Sequence, residues 1–212
     1  MLLLGLEAEL GVLMMARNTE TGYKTIFRFD NLLDADTCDE LYRFMVRRLA
    51  KNPTFNKETM PWHNDETFIP WEIDNYELVE KIKIHRKNVT ELVSEMFNRT
   101  LYPEFTHLVL WRAGRHMFKH KDEGYEFDDH LAARKVSSVT YINDNFNGGE
   151  TFVSNETGID YQSKPIKGST VAYLSDESNA HGVNTVENGH RVTLPIWFTD
   201  EYEKSETKRL GF

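Results

Sequence analysis

The chain has 212 residues, 40% of them hydrophobic and 12% aromatic, which is enough to bury one core and too apolar for a disordered polymer. Its formal net charge of −9, from 34 acidic against 25 basic side chains, argues against broad attraction to nucleic acid or to an anionic membrane, and neither partner is expected. The one cysteine, Cys38, leaves no intramolecular disulfide and suits a reducing compartment, so a cytosolic location is expected.

The opening MLLLGLEAELGVLMMA is apolar but lacks a basic leading segment and carries Glu7 and Glu9, which reads as a short helix or extension rather than a signal peptide. No run reaches the ~18 uninterrupted apolar residues of a membrane span. Tyr23 to Phe29 alternates with Tyr23, Thr25, Phe27 and Phe29 on one face, which predicts an entering strand. Asp34 or Asp36 then caps a helix with Leu41, Phe44, Met45 and Leu49 on one stripe. The stretch from Asn52 to Trp71, with three prolines, reads as a long connection in which Trp62-His63-Asn64-Asp65 is a candidate groove lining against the plainer reading of a self-packed loop. Asp74 and Glu77 have capping-box spacing ahead of a long amphipathic helix through Leu78, Ile82, Val89, Leu92, Val93 and Met96.

Beyond Pro103 the period changes to strands, over Phe105 to Trp111, Met117 to Asp122, Val136 to Ile142, Thr151 to Ser154, Thr170 to Leu174, His181 to Val186 and Arg191 to Thr199. Pro195 lacks a ladder donor, so a bulge or unpaired position is expected there. Between Glu123 and Ala133 an acidic stretch without strand period is a candidate mobile lid. The order predicts an α+β fold in one domain, with residues 1–104 as a helical support and 105–205 as a strand-rich core.

Two imidazoles and a carboxylate can take one face of an octahedral metal and leave positions open. His120 and Asp122, two apart on a strand, share a face, and His181 supplies the second imidazole. His-x-Asp alone is weak, since chance supplies it in about one chain of this size in two. Ten residues after His181 stand Arg191 and Thr193, a guanidinium fork and a hydroxyl suited to a carboxylate. His116 with His120 has the spacing of a helical zinc pair, which Gly114 disfavours, and His130 is a second decoy best read as exposed.

Together, His120/Asp122, His181 and Arg191-Val192-Thr193 resemble the motifs of the Fe(II)/2-oxoglutarate dioxygenases. More narrowly, SVTYINDNFNGGETF and SNAHGVNTVENGHRVTLPIWFTD resemble the catalytic domain of prolyl hydroxylases, the leprecan-type prolyl 3-hydroxylases first and the hypoxia-sensing ones next. The likeness covers roughly residues 105–205, with a fainter match in FRFDNLLDADTCDEL. It implies a double-stranded β-helix, or distorted jelly roll, braced by the N-terminal helices. It also implies Fe(II) on His120, Asp122 and His181, with 2-oxoglutarate and O2 as co-substrates and ascorbate as a candidate reductant. By the same likeness Arg191, Thr193 and Tyr141 hold the 5-carboxylate, and Arg134 meets a peptide or protein substrate. Trp111 departs from the tyrosine usual at its position in collagen-type enzymes; its indole can pack on the co-substrate chain but offers no phenol. A free amino acid, small metabolite or alkylated base as substrate, and a non-enzymatic binding module, are the rival readings.

Overall fold

A computed structural model describes residues 17–19, 21–51, 66–124, 131–155, 157–158 and 160–211. The readings of residues 1–16, of Trp62-His63-Asn64-Asp65, and of most of the Glu123–Ala133 segment with His130 fall outside these residues.

In chain order the elements are β1 (Arg17–Thr19), β2 (Ile26–Asp30), α1 (Ala35–Lys51), β3 (Glu66–Phe68), α2 (Tyr76–Met96), β4 (Tyr102–Thr106), β5 (Leu108–Arg112) and β6 (Met117–His120). They continue with β7 (Arg134–Tyr141), β8 (Asn147–Gly148), β9 (Thr151–Ser154), β10 (Asp160–Ser163), β11 (Thr170–Leu174), β12 (His181–Val183), β13 (Val186–Asn188), β14 (His190–Thr199) and α3 (Glu206–Leu210).

Asp34 accepts from Thr37 N at 2.8 Å and Thr37 Oγ1 at 2.7 Å, which decides the cap of α1 in its favour. Burial works against the Asp34 charge, but these hydrogen bonds outweigh it and lower its pKa. The cap of α2 is Asn75, not Asp74: its side chain accepts from Leu78 N at 3.2 Å, so Glu77 falls one position short of a capping box.

All described strand pairs are antiparallel. The large sheet runs β1-β2-β11-β7-β14-β5-β3 with β4 also on β14; the small sheet runs β10-β9-β12-β6; β13 and β8 form a short ribbon. Strand alternation splits β14 cleanly. Val192, Leu194, Ile196 and Phe198 pack toward the helices, in clusters with Leu41, Met45 and Ile82 or with Val89, Leu92 and Val93. Arg191, Thr193, Pro195 and Trp197 face the space between the sheets. Two inner clusters close that space on either side, one around Trp111, Tyr141 and Phe146 and one around Ile26, Val153 and Tyr173. Cys38 is buried under α1, and desolvation pushes its thiol up to about 12, which makes it a packing residue.

Three strand expectations are revised. Phe105 to Trp111 is two strands broken at His107, and both lie along β14. His181 to Val186 is likewise two, β12 and β13. The third, Met117 to Asp122, ends at His120, which bears on the site below. Pro195 keeps register with Val139 of β7, while on its other side β14 leaves β5 after Thr193 and meets β4 from Ile196. The Pro195 carbonyl accepts from His107 N at 3.1 Å on that side, so the missing donor faces the switch between two partner strands, where no ladder bond is lost.

Candidate metal and dicarboxylate site

A cavity of ≈ 220 Å³ lies between the sheets. At one side His120, Asp122 and His181 converge, with one ligand atom from each lying within 4.8 Å of the others. His120 and His181 are direct partners across β6 and β12, and their rings are 4.5 Å apart. Each ring is oriented by its other nitrogen: His120 Nδ1 donates to the Phe118 carbonyl at 2.8 Å, and His181 Nδ1 to the Asn179 carbonyl at 3.2 Å. With Nδ1 so engaged, both Nε2 atoms turn toward Asp122, 3.5 Å and 3.1 Å from its carboxylate oxygens.

Asp122 is placed by a bend past the end of β6, not by the alternation of a strand. Three interactions fix that bend. Glu123 N donates to the Ser175 carbonyl at 2.9 Å, Ser137 Oγ donates to Asp122 Oδ2 at 2.6 Å, and Ser137 Oγ is 2.7 Å from Ser175 Oγ. Burial alone would raise the Asp122 pKa, yet His181, His120 and Ser137 hold it well below the usual carboxylate range, so the group is an anion. For His120 burial is again the largest influence and lowers the pKa, but the bonds to Asp122 and Phe118 prevail and raise it. Two neutral-capable imidazoles and one anionic carboxylate on one face are the donor set of an open, hard divalent metal site, and they fit Fe(II).

Gly182 packs this pair of strands tightly. A Cβ there would stand 2.5 Å from the Met117 carbonyl and 2.5 Å from the Phe152 ring. His116, by contrast, meets Phe118 edge-to-face with ring centroids 4.9 Å apart, and since His120 is on a strand the helical zinc pair does not form.

Farther along the cavity Arg191 is 2% exposed and makes no ion pair among the described residues. Its Nε donates to the Gly149 carbonyl at 2.8 Å, Nη2 to Thr151 Oγ1 at 3.0 Å and Nη1 to Thr193 Oγ1 at 3.3 Å. Of its five N–H groups, two have no hydrogen-bond partner among the described residues. Desolvation lowers the Arg191 pKa, opposed by Tyr141, Tyr173 and Glu150. Gly149 has φ +67°, and a Cβ on it would lie 3.1 Å from Arg191 Cδ, so the turn that follows Asn147 must be glycine to seat the guanidinium.

Trp111 and Thr193 line the cavity. Tyr141 does not. It is fully buried behind the wall, with Oη accepting from Thr151 N at 2.9 Å and lying 2.9 Å from the Ser163 carbonyl and 3.0 Å from Thr151 Oγ1. Arg134 also stays off the cavity wall. Its Nε donates to buried Glu104 at 2.9 Å and its guanidinium covers Trp197 at 4.5 Å. Ser137, Thr151, Tyr173, His107 and Trp197 are cavity residues that motif reading passes over. Strand phase offered a signal for some of them: Ser137 is i−4 to Tyr141 on the inner face of β7, and Tyr173 is i+2 to Val171 on β11.

The family model of the 2OG-Fe(II) oxygenase superfamily matches residues 100–199. Prolyl 3-hydroxylase 1 of Gallus gallus is 25% identical over 224 residues, covering 85% of this chain and 30% of that protein. Prolyl 3-hydroxylase 3 of Mus musculus is 39% identical over 75 residues, covering 34% of this chain and 10% of that protein. The chain thus spans about a third or less of the length of the curated relatives it matches. Among solved structures, a prolyl hydroxylase in complex with a hypoxia inducible factor oxygen degradation domain peptide fragment from Trichoplax adhaerens superposes with TM-score 0.67 at 17% identity, covering 98% of this chain and 96% of that one. A prolyl-4-hydroxylase of Pseudomonas putida superposes with TM-score 0.62 at 19% identity, covering 84% and 93%. These likenesses establish the double-stranded β-helix.

Proposed function

We propose, from the match of residues 100–199 to the 2OG-Fe(II) oxygenase superfamily and from the site, that the chain is an oxidoreductase of that superfamily that binds Fe(II) on His120, Asp122 and His181 and hydroxylates a prolyl residue of a peptide or protein with 2-oxoglutarate and O2. The observation that carries the reading is Arg191: a buried guanidinium without an anion among the described residues, on the wall of the cavity that holds the His-Asp-His cluster. A buried cation calls for a counter-charge, and a dicarboxylate reaching from the metal to Arg191 supplies it.

When bound, Fe(II) supplies the redox chemistry that couples decarboxylation of 2-oxoglutarate to succinate and CO2 with transfer of one oxygen atom to a substrate carbon. The chain supplies the rest. Carbonyls of Phe118 and Asn179 fix both imidazoles with Nε2 inward. Ser137 holds Asp122 by one oxygen and leaves the other for the metal. Arg191 and Thr193 meet the 5-carboxylate, with Trp111 packed beside the carbon chain, and the apolar wall of Val109, Val139 and Met117 excludes water. Prolyl hydroxylases recur among the relatives, and one structural neighbour holds a peptide, which supports a peptide substrate.

The test is oxygen-dependent succinate formation by Fe(II)-loaded protein, with proline-containing peptides in one arm and free amino acids in the other. Succinate coupled to a gain of one oxygen atom on a prolyl residue is the expected result. Coupling confined to the free amino acids would move the substrate to a metabolite, and no succinate in either arm would remove the enzymatic reading.

A further inference from the structure

Two buried tyrosines stand on adjacent strands of the large sheet, and they differ in what their hydroxyls can still do. Tyr141 Oη already has three polar neighbours, the Thr151 N–H, the Thr151 hydroxyl and the Ser163 carbonyl, which fills the one-donor, two-acceptor capacity of a phenol. Its ring lies outside the cavity lining. Tyr173, on β11, is 2% exposed, lines the cavity, and has no hydrogen-bond partner for its hydroxyl among the described residues. Its ring packs on His181 with centroids 4.5 Å apart, and it faces Ser137, the residue that holds Asp122, across the β11–β7 ladder. A phenol ring this deep would pack as well without its oxygen, and a hydroxyl that opens onto the cavity with no protein partner is placed to bond a ligand there.

We propose that Tyr173, rather than Tyr141, donates the phenolic hydrogen bond to a carboxylate oxygen of 2-oxoglutarate in this cavity. The proposal rests on the reading of the cavity as a 2-oxoglutarate site. Tyr141 then plays a different part, because it holds Thr151, whose Oγ1 accepts from Arg191 Nη2, and so it positions the guanidinium without touching the ligand. The donors that line the cavity include the remaining Arg191 N–H groups, the Thr193 hydroxyl and the Tyr173 hydroxyl.

Anaerobic titration of the Fe(II)-loaded protein with 2-oxoglutarate tests this, comparing the wild type with Tyr173→Phe. Loss of a hydrogen bond to a charged group is expected to raise Kd by about tenfold or more, while Fe(II) affinity without co-substrate and the unfolding midpoint stay at wild-type values. A parallel titration with 2-oxobutyrate locates the contact. A loss confined to 2-oxoglutarate puts the hydroxyl on the carboxylate beside Arg191, and an equal loss with both ligands puts it on the carboxylate beside the metal; either supports the proposal. A Tyr173→Phe affinity within about twofold of wild type overturns it, as does a matching loss of Fe(II) affinity, which would mark a structural role. Wild-type protein that loads Fe(II) but ignores 2-oxoglutarate would instead defeat the underlying reading of the cavity.

Discussion

Arg191, on the large sheet, and His85, on α2 and packed against that sheet, are both buried, and they handle charge in opposite ways. Arg191 cannot shed its proton, so its neighbours leave it two free N–H groups and the cavity must provide the anion. Arg191→Ala should weaken 2-oxoglutarate binding by at least about tenfold with Fe(II) still bound, and Arg191→Lys should recover part of the loss, as read by titration. His85 sheds its proton instead. It lies between the Leu32 carbonyl and Thr140 Oγ1, 3.4 Å and 2.9 Å away, and desolvation lowers its pKa to about 4 from 6.5. A depressed folded pKa means stability is fully present above pH 6.5 and is lost as pH falls toward 4, about 2 kcal/mol of it between pH 7 and pH 5. Urea unfolding at those two pH values should show His85→Gln to be less acid-sensitive than wild type by about that amount. The same contrast explains what residue types could and could not disclose. The sequence spacing of His181 and Arg191 survives folding because both are on strands, whereas the choice between Tyr141 and Tyr173 depends on Ser163 and Thr151, which reach Tyr141 only through the fold.

At the level of elements, β14 was the most legible. Its alternating run of Val192, Leu194, Ile196 and Phe198 against Arg191, Thr193, Pro195 and Trp197 is a direct print of a strand between helices and a cavity. The end of β6 was the least legible. Strand phase put His120 and Asp122 on one face for a reason that does not apply, because β6 ends at His120 and the Glu123–Ser175 hydrogen bond holds the chain in a bend at Asp122. Periodicity registers which face a residue takes and is blind to a bend made by partners far away in the chain. β12 gives the prediction at this scale. Gly182→Ala forces a methyl against the Met117 carbonyl and Phe152, so β12 must move away from β6 and carry His181 off its partner. Overpacking of this kind costs about 1–3 kcal/mol, and Fe(II) affinity should fall along with the unfolding midpoint. A variant that lost stability while binding Fe(II) normally would show that the His120–His181 register is not what sets the site.

Over the whole molecule, the two sheets carry the chemistry and the helices hold the large sheet in shape. The last helix is tied in by one buried carboxylate: Glu206 accepts from Arg86 Nη1 at 3.0 Å, Thr106 N at 3.0 Å, Thr106 Oγ1 at 2.7 Å and Trp71 Nε1 at 3.3 Å, joining α3 to α2 and β4. Glu206→Ala takes the carboxylate away from buried Arg86 and the acceptor away from Thr106, and should cost about 3–5 kcal/mol in urea unfolding while leaving the metal ligands untouched. The central claim, a metal at one end of the cavity and a dicarboxylate anchored at the other, is tested most directly by one anaerobic experiment. Fe(II)-loaded protein is titrated with 2-oxoglutarate while the visible charge-transfer absorption is followed, and the same titration is run on Asp122→Ala. The account predicts one Fe(II) per chain, a saturable absorption band in the wild type, and neither in the variant. A wild-type protein that takes up Fe(II) but shows no saturable response to 2-oxoglutarate, or an Asp122→Ala protein that responds as the wild type does, would contradict it.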